Sequence, residues 1–461
     1  MSDYRRYRIE TEPAPHLADH PSRFIVQMNR LRLAKFLVEE LIHFGGDLPV
    51  VLSRPCVYGV FSGPVGGFLP RSELCVGCLR CTVQYPDMVQ IQPNPARLKL
   101  GDSYVTPDQV DTILYEASTG RVPVRGAGYR GAYGGQGWDG IWTDMSEIVR
   151  PTRDGIHGRE FISTSVDLGR RPMMLELDAA GQPTGELPQA IWLPVPFLFD
   201  VPPPAAQTQD YQRALANAAE HVGTVAIVPL RQLAEHGAAG DHLVPLVAED
   251  DARLLDRVGW EPRLVELSSG SPELRQAVEE HWSECQLILR VTDLAAADEA
   301  IEAGADMIHL AADYHAQFGG TFAFEAFHQV HDQLIARGRR ERVTLIGSGG
   351  LVAAEHVPKA IIAGLDAVAL DTAPLLALQA EFVGEVVDPQ TADVSLPRLQ
   401  AAWAQQRLVN LCASWRDQLL EIMGAMGLRE VRRLRGEVGR AMFQQDLERE
   451  AFAGIEGYPH G

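Results

Sequence analysis

The strongest chemical signal in the sequence is a group of three cysteines within seven residues. Cys75, Cys78 and Cys81 are separated by two residues each, and Tyr85 and Pro86 follow them. This is the ferredoxin-type run C-x2-C-x2-C-x3-C-P with a tyrosine in place of its last cysteine. Gaps of two residues let successive thiolates ligate one face of an iron–sulfur cluster. The spacing therefore predicts an iron–sulfur site.

The nuclearity of such a cluster depends on a fourth ligand. Three thiolates suffice for a [3Fe–4S] cluster, whereas a [4Fe–4S] cluster needs one more donor. Cys56, upstream of the run, is the predicted fourth ligand. Zinc is the alternative metal, although zinc sites normally combine two separated Cys-x2-Cys pairs or add histidines. The two remaining cysteines, Cys285 and Cys412, stand alone in the sequence.

A glycine-rich turn in the second half of the chain has the composition of a phosphate site. It ends an apolar run, precedes a helical pattern, and consists of Gly347, Ser348, Gly349 and Gly350. Glycines let backbone N–H groups turn inward, and a helix N-terminus adds unpaired donors for an anion. The end of the next apolar run adds further predicted donors, Asp371 and Thr372. A tight strand-to-helix turn without a ligand is the alternative.

Two other apolar runs contain a basic side chain. Arg290 interrupts the run at 287–291, and a buried guanidinium needs an anion or an electron-rich ring beside it. The run at 307–311 contains His309, and polar or glycine residues follow it at Asp313, His315, Gly319 and Gly320. A catalytic role and a structural hydrogen bond are equally weighted for His309 and His315. His328 and His331, spaced three apart, are interpreted as a solvated helix face.

The elements that must position these residues alternate evenly from about residue 188 onward. Eight apolar runs, separated by amphipathic helical stretches, are interpreted as buried parallel strands. They lie at 190–197, 224–229, 243–247, 263–267, 287–291, 307–311, 343–347 and 367–371. Eight such units over about 190 residues predict an α/β fold of the (β/α)8 TIM barrel class. The C-terminal ends of the strands would form its functional face.

Three regions are predicted along the chain. Residues 1–120 would be an N-terminal helical and iron–sulfur-binding region, with helices at 22–44 and 107–118. Residues 121–388 would form the barrel with a glycine-rich entry loop, and residues 389–461 a C-terminal helical extension. The entry loop contains the pattern G-x-G-x-x-G at Gly126, Gly128 and Gly131. Because further glycines follow where a dinucleotide-binding fold needs a helix, a Rossmann domain is not predicted.

Composition and charge exclude several classes of protein. The 461 residues are 46% hydrophobic and carry a net charge of −20, which disfavours disorder and a sequence-independent nucleic-acid partner. No apolar run approaches the ~20 residues that span a bilayer, and the N-terminus lacks the apolar core of a signal peptide. We therefore expect a cytoplasmic protein without a membrane or nucleic-acid partner. Structural disulfides are not expected in that compartment.

Several of these segments resemble the FMN-binding glutamate synthase-related proteins, whose barrel corresponds to the synthase domain of glutamate synthase. The similar segments lie at 305–309, 319–321, 347–350, 354–372 and 408–434. The resemblance implies that FMN binds this barrel, with Gly349 and Gly350 holding its phosphate. Arg290 would stand near the flavin N1–C2 carbonyl, where a cation stabilises the reduced ring. The resemblance also implies that Pro194, Val195 and Pro196 lie under the flavin.

The function implied by the resemblance is an FMN- and iron–sulfur-dependent oxidoreductase that reduces a 2-oxo acid or imine to an amino acid, as in glutamate biosynthesis. Arg290 and His309 are the candidate catalytic residues. Electrons would come from a ferredoxin or a separate reductase subunit, ammonia from a separate glutaminase, and the protein would be an oligomer. The alternative is an electron-transfer or scaffold subunit with a degenerate barrel. It is favoured by Val228–Arg231, which stand where the family has a Ser/Gly/Glu-rich substrate loop.

Overall fold

The structure is a computed structural model that contains two separate hydrophobic cores. It describes residues 7–53, 56–63, 66–123, 134–146, 161–170, 176–184 and 189–452. The smaller core lies between residues 26 and 89 and includes Cys75 and Cys81. The larger core contains the barrel together with residues on either side of it, from Ile9 to Leu434. The predicted loop pattern at Gly126, Gly128 and Gly131 lies outside the described residues.

The smaller core belongs to what we call the cluster module, residues 22–93. Its elements are β1 (Phe24–Met28), α1 (Arg30–His43), α2 (Leu48–Ser53), α3 (Arg80–Gln84) and β2 (Val89–Pro93). The helical prediction for 22–44 is wrong at its start, because Phe24–Met28 pairs antiparallel with Val89–Pro93. Helix α1 begins only after Asn29, whose side chain accepts the backbone N–H of Arg32 as an N-cap.

Four further elements lead to the barrel. Helix α4 (Pro107–Thr119) confirms the predicted helix and starts with a capping box between Thr106 and Gln109. Three strands follow, β3 (Ile141–Thr143), β4 (Val166–Arg170) and β5 (Gln189–Leu193). Strands β4 and β5 pair antiparallel with each other and take no part in the barrel.

Eight parallel strands close into the predicted barrel. They are β6 (Phe197–Phe199), β7 (Ala226–Pro229), β8 (Leu243–Val247), β9 (Leu264–Leu267), β10 (Gln286–Val291), β11 (Met307–Ala311), β14 (Thr344–Ser348) and β15 (Ala367–Leu370), and the short pair β12 (Gln317–Phe318) and β13 (Thr321–Phe322) lies after β11. The fold class is therefore confirmed. One boundary is wrong: the apolar run at 190–197 is two strands, since β5 pairs with β4 and only β6 enters the barrel.

Helices surround the barrel unevenly. They are α5 (Gln209–Val222), α6 (Leu230–His236), α7 (Pro272–His281), α8 (Leu294–Glu302), α9 (Ala323–Ala336), α10 (His356–Ile362) and α11 (Thr372–Ala377). A nine-residue 3-10 helix, Glu249–Arg257, stands between β8 and β9. None of the described helices is long and apolar enough to cross a bilayer.

The C-terminal region packs on the barrel and on the N-terminal region. It contains β16 (Glu381–Phe382), β17 (Val394–Ser395), α12 (Ala401–Ala425), β18 (Ala441–Phe443) and α13 (Gln444–Leu447). Helix α12 packs against α5 and α4, and β18 pairs with β3. The three predicted regions stay predictions, but residues 107–119 and 401–434 share the large core with the barrel.

Candidate functional site

The structure brings all four predicted cysteine ligands together. Cys75 and Cys81 are buried, and Cys56 and Cys78 are half-buried. The four cysteines all line one small pocket. The other walls are apolar, from side chains such as Val26, Val60, Phe61 and Ile91. Cys56 precedes the run by 19 residues in the sequence, but it lines the same pocket. This position agrees with its prediction as the fourth ligand.

Left-handed backbone at two positions turns the cysteine loop inward. Gly77 has φ +69° and Leu79 has φ +57°, one in each of the two gaps between the cysteines. A Cβ on Gly77 would lie 2.3 Å from the ring of Phe24, so both the dihedral angle and the close approach of β1 require glycine. The backbone N–H groups of Gly77 and Thr82 donate to the sulfur atoms of Cys75 and Cys81. Hydrogen bonds of this kind tune the potential of a cluster.

Burial makes the two inner thiols weak acids. It raises the pKa of Cys75, and it raises the pKa of Cys81 to about 11, with further upward contributions from Cys56 and Cys78. Metal ligands are thiolates, so a bound metal must displace these protons. Four sulfur donors in an apolar pocket suit an iron–sulfur cluster, and a zinc site remains the alternative that metal analysis distinguishes.

A second candidate site lies inside the barrel, around Arg290 on β10. Arg290 donates from Nε to Glu266 Oε1 at 2.8 Å and from a terminal nitrogen to Asp200. Nδ1 of His309 is 2.8 Å from the same Glu266 oxygen, and its Nε2 is 3.0 Å from the Ser348 hydroxyl. These side chains come from the ends or interiors of five barrel strands. Arg290 is 17% exposed, Asp200 4%, and Glu266 and His309 are fully buried.

The charges in this network compensate one another. Burial acts to lower the pKa of Arg290, but the carboxylates of Asp200 and Glu266 raise it above its usual value. Burial likewise acts to raise the pKa of Asp200, and Arg290 and His309 hold it below its usual value. The guanidinium that was predicted to need an anion therefore has two protein carboxylates beside it. A buried charge paired in this way is stabilised by its partners.

Asp371 and Thr372 lie beside this network at the end of β15. Both are buried, and the Asp371 carboxylate accepts the backbone N–H of Thr372. Burial, together with the charge of Asp200, raises the pKa of Asp371 to about 7. Tyr211 and Tyr314 are buried nearby, and burial with these two aspartates raises the pKa of both phenols. These buried side chains occupy part of the barrel mouth, and Arg290 also lines a pocket together with Ser268 and Thr292.

The raised pKa of Asp371 makes stability depend on pH. The folded state holds the proton more tightly than the unfolded state, whose carboxyl titrates near 3.8, so the contribution of this group is complete below pH 4 and is lost as pH rises to about 7. Asp371→Asn imitates the protonated form. We expect its free energy of unfolding to exceed that of the wild type increasingly between pH 4 and 7, by at most about 4 kcal/mol at 1.36 kcal/mol per unit. Urea unfolding of both proteins at pH 5, 6, 7 and 8 measures this difference; a difference independent of pH contradicts the assignment.

The strand-seven turn is closely covered by other parts of the chain. The carbonyl of Gly349 accepts the indole N–H of Trp138 at 3.0 Å, and that of Gly350 accepts the hydroxyl of Tyr104 at 3.1 Å. Gly349 has φ +113°, and a Cβ there would lie 2.6 Å from Ala312 Cβ and from the carbonyl oxygen of Asp313. Close packing of the chain therefore accounts for glycine at this position.

Close packing also explains why residue 347 is a glycine. A Cβ on Gly347 would lie 2.4 Å from the side chain of Leu365. The turn that was predicted to hold phosphate is thus buried against protein along its length, from Gly347 to Gly350.

Three predicted cofactor contacts organise the loop after β11. The Asp313 carboxylate accepts the backbone N–H groups of His315 and Gln317, at 2.9 and 2.8 Å. Gly319 and Gly320, both with positive φ, form the turn between β12 and β13. Nε2 of His315 lies 3.1 Å from Oδ2 of Asp102, and the His315 ring stacks on the ring of Tyr104. In the described structure these residues shape the loop that covers the strand-seven turn.

Pro194 and Val195 lie at the opposite end of the barrel, so their prediction as flavin contacts is wrong. Both precede β6, and the Pro194 carbonyl accepts the hydroxyl of Thr164 at 2.7 Å. The carbonyl of the next residue, Pro196, accepts the backbone N–H of Val368 near the start of β15. A ligand at the C-terminal ends of the strands cannot reach this face. The error follows from the boundary of the first strand, because the loop at the functional face begins at Asp200.

The histidines on α9 also differ from the prediction. His331 is buried, and its Nδ1 accepts the Nε–H of Arg340 at 2.8 Å. Burial and the neighbouring arginines lower its pKa to about 4. His328, by contrast, is partly exposed beside Asp332. The solvated-face interpretation is therefore wrong for His331.

Four residues of the barrel mouth were not predicted from the sequence: Asp200, Glu266, Tyr211 and Tyr314. Glu266 carried the same signal as Arg290, a charged residue within an apolar strand, and the two could have been paired on that ground. The two tyrosines gave no such signal. Within the described residues, three buried polar atoms at the mouth have no hydrogen-bond partner: Glu266 Oε2, Tyr314 Oη and Thr372 Oγ1.

Comparisons with known proteins find relatives over most of the chain. A family model described as "Conserved region in glutamate synthase" matches residues 311–429. The archaeal-type glutamate synthase [NADPH] of Dehalococcoides mccartyi is 24% identical, over 79% of this chain and 86% of that protein. The archaeal glutamate synthase [NADPH] of Archaeoglobus fulgidus is 25% identical, over 83% of this chain and 89% of that protein.

Solved structures with a similar fold share little sequence. Monotopic membrane protein (S)-mandelate dehydrogenase is 14% identical with a TM-score of 0.40, covering 66% of this chain and 89% of that one. A mandelate oxidase solved with a monooxide FMN adduct is 17% identical with a TM-score of 0.38, covering 59% of this chain and 87% of that one.

Proposed function

We propose that this chain, which is a glutamate synthase-related protein, is an oxidoreductase of the glutamate synthase type that carries electrons on an iron–sulfur cluster. One observation carries the proposal: Cys56, Cys75, Cys78 and Cys81 all line the same small pocket. Four thiols and apolar walls fit a [4Fe–4S] cluster, and a [3Fe–4S] cluster would use three of them. The cluster would accept and pass on single electrons.

The finer parts of the proposal concern the reaction and its partners. The two relatives are named glutamate synthase [NADPH], which supports reduction of a 2-oxo acid or its imine to an amino acid with electrons that originate from NADPH. A ferredoxin or a separate reductase would bring those electrons to the cluster. A separate glutaminase would supply ammonia.

FMN is the second cofactor implied by the resemblance, and when bound it would deliver hydride to the imine carbon. Several residues that were predicted to hold FMN contact other protein groups in this structure. Arg290 already contacts two carboxylates, and a phosphate at the strand-seven turn would have to displace packed protein and tolerate the nearby Asp371. Arg290 and His309, predicted as catalytic, are engaged in the same network.

The pairing of Arg290 with two carboxylates favours a second candidate function. In that alternative the chain is an electron-transfer or scaffold subunit whose degenerate barrel holds no flavin. Its iron–sulfur cluster would relay electrons within a larger redox complex. Both candidate functions require the iron–sulfur cluster, and only the first requires FMN.

Quantification of iron, acid-labile sulfide and FMN in protein purified under argon tests both candidates. We expect about four irons and four sulfides per chain for a [4Fe–4S] cluster, or about three irons and four sulfides for a [3Fe–4S] cluster. Either cluster should give a broad brown absorption. FMN near one per chain, with bands at about 450 nm, supports the first candidate. Iron and sulfide without FMN, even after expression with excess riboflavin, support the second. A zinc-containing protein without iron or sulfide overturns both.

A further inference from the structure

The cluster module has a surface unlike the rest of the chain. Its small core contains two of the four cysteines, and α1 packs over it through Leu33 and Phe36. The ring of Phe36 contacts that of Tyr85, which follows α3 and its ligand Cys81. Helix α1 therefore lies directly beside the cysteine pocket. An electron donor that approaches the cluster from this side would contact the solvent-exposed side chains of α1.

The surface of the cluster module exposes many large apolar side chains. Of 21 exposed large apolar side chains among the described residues, 11 lie within residues 22–93, which make up less than a sixth of the chain. Val57 and Val83, near the ligands Cys56 and Cys81, are 76% and 79% exposed. On α1, Leu31 and Ile42 are 85% and 76% exposed. A concentration of exposed apolar side chains in one module is typical of a protein–protein interaction site.

The charge of the module is also opposite to that of the chain. Residues 22–93 contain seven Lys and Arg residues against five Asp and Glu, a net charge of +2, while the remainder of the chain carries −22. Two of the module's arginines are exposed to solvent: Arg30 at the first position of α1, and Arg80 between two of the predicted cysteine ligands. An acidic partner would be attracted to this module and repelled by the barrel.

We propose that this face of the cluster module docks an acidic protein electron carrier, which reduces the cluster by one electron while it is itself oxidised by one electron. The inference rests on the proposed function, because it requires the cluster. Transient electron-transfer complexes bury small interfaces, and complementary charge steers their encounter. A second copy of the chain is the less suitable occupant, because a two-fold interface would place two basic modules face to face.

Stopped-flow reduction of the oxidised cluster tests the docking site. The probe is a reduced plant-type [2Fe–2S] ferredoxin of net negative charge, used under argon at 50 and 200 mM salt. We expect the second-order rate constant of the wild type to fall as salt rises. Arg30→Glu should lower it about tenfold at 50 mM salt, which corresponds to about 1.4 kcal/mol. An acidic residue in the first turn of α1 favours the helix dipole, so this variant is expected to fold.

Two apolar-face variants and two matched controls complete the test. Val57→Ser and Val83→Ser should weaken saturation by ferredoxin. Arg213→Glu and Ile335→Ser make the same kinds of change on exposed positions of α5 and α9 and should stay within twofold of the wild type. Equal rates in module and control variants overturn the docking site.

Two further measurements separate the failure of this inference from failure of the proposed function. Iron content and reduction by dithionite are measured for every variant; a protein without iron overturns the function and the inference together. A cluster that dithionite reduces normally, but that ferredoxin reduces without salt dependence, overturns the docking site alone. Sedimentation measures the oligomeric state of the wild type and of Val83→Ser. If the wild type is a dimer and the variant is a monomer, a second copy of the chain covers this face, and the proposed electron carrier is overturned.

Discussion

Arg290→Gln is expected to lower the free energy of unfolding by about 3–5 kcal/mol, the usual cost of removing one partner from a buried ion pair. Asp200 and Glu266 would keep their charges inside the barrel without the guanidinium that now contacts both. At about 2–4 °C per kcal/mol for a unit of this size, the unfolding temperature should fall by roughly 6–20 °C. Thermal unfolding followed by circular dichroism measures the change.

Two other variants make this result specific. Arg213→Gln removes an exposed arginine from α5 and should change stability by no more than about 0.5 kcal/mol. The triple variant Arg290→Met, Asp200→Asn, Glu266→Gln removes the whole ion set and should recover most of the loss, because neutral replacement of a complete buried pair is often tolerated. If Arg290→Gln instead unfolds at the wild-type temperature and a bound flavin changes its reduction potential, the arginine acts on a flavin as the sequence predicted.

Arg290 also illustrates how far the sequence reached into the site. A cation within an apolar strand has to be compensated, and that need was predicted correctly from residue types alone. The identity of the partners depends on closure of the barrel, which brings in Asp200 from 90 residues away. No local pattern specifies such a distant contact. The sequence therefore indicated a polar centre in the barrel, but it could not distinguish a flavin from a protein carboxylate.

The strand pattern was predictable because buried parallel strands are short, apolar and regularly spaced. The errors fall where a partner outside the barrel decides the structure. Phe24–Met28 is a strand only because Val89–Pro93 pairs with it, and Gln189–Leu193 leaves the barrel because it pairs with Val166–Arg170. The second error moved the expected flavin loop to the wrong face of the barrel. One misplaced boundary thus changed a functional assignment.

The cysteine site differs from the barrel site, because its candidate ligands could be predicted almost entirely from local spacing in the sequence. Cys75, Cys78 and Cys81 follow a motif whose two-residue gaps position thiolates by themselves. Cys56 was predicted from its place upstream of the run, and the fold brings it to the pocket that the run lines. The left-handed residue at Leu79 could not be anticipated, because leucine rarely adopts that conformation.

Cys78→Ser is expected to lose most of the iron and the brown absorption while the barrel stays folded, because the four thiols line one pocket outside the large core. Iron and sulfide analysis measures the loss, and circular dichroism checks the fold. Cys285→Ser is the matched control, since Cys285 is a half-buried cysteine packed against the barrel core, and it should retain full iron content. Full iron in Cys78→Ser would remove that residue from the ligand set.

Cys56→Ser gives the sharper result. If Cys56 is the fourth ligand, this variant should convert a four-iron cluster into a three-iron cluster, which electron paramagnetic resonance detects in the oxidised protein. The pocket geometry favours this outcome, because Cys56 faces the same space as Cys75 and Cys81 and its charge acts on both thiols. A spectrum and iron count identical to those of the wild type would instead establish a site of three cysteines. In that case the wild type itself should contain three irons, so the variant and the parent protein together determine the ligand set.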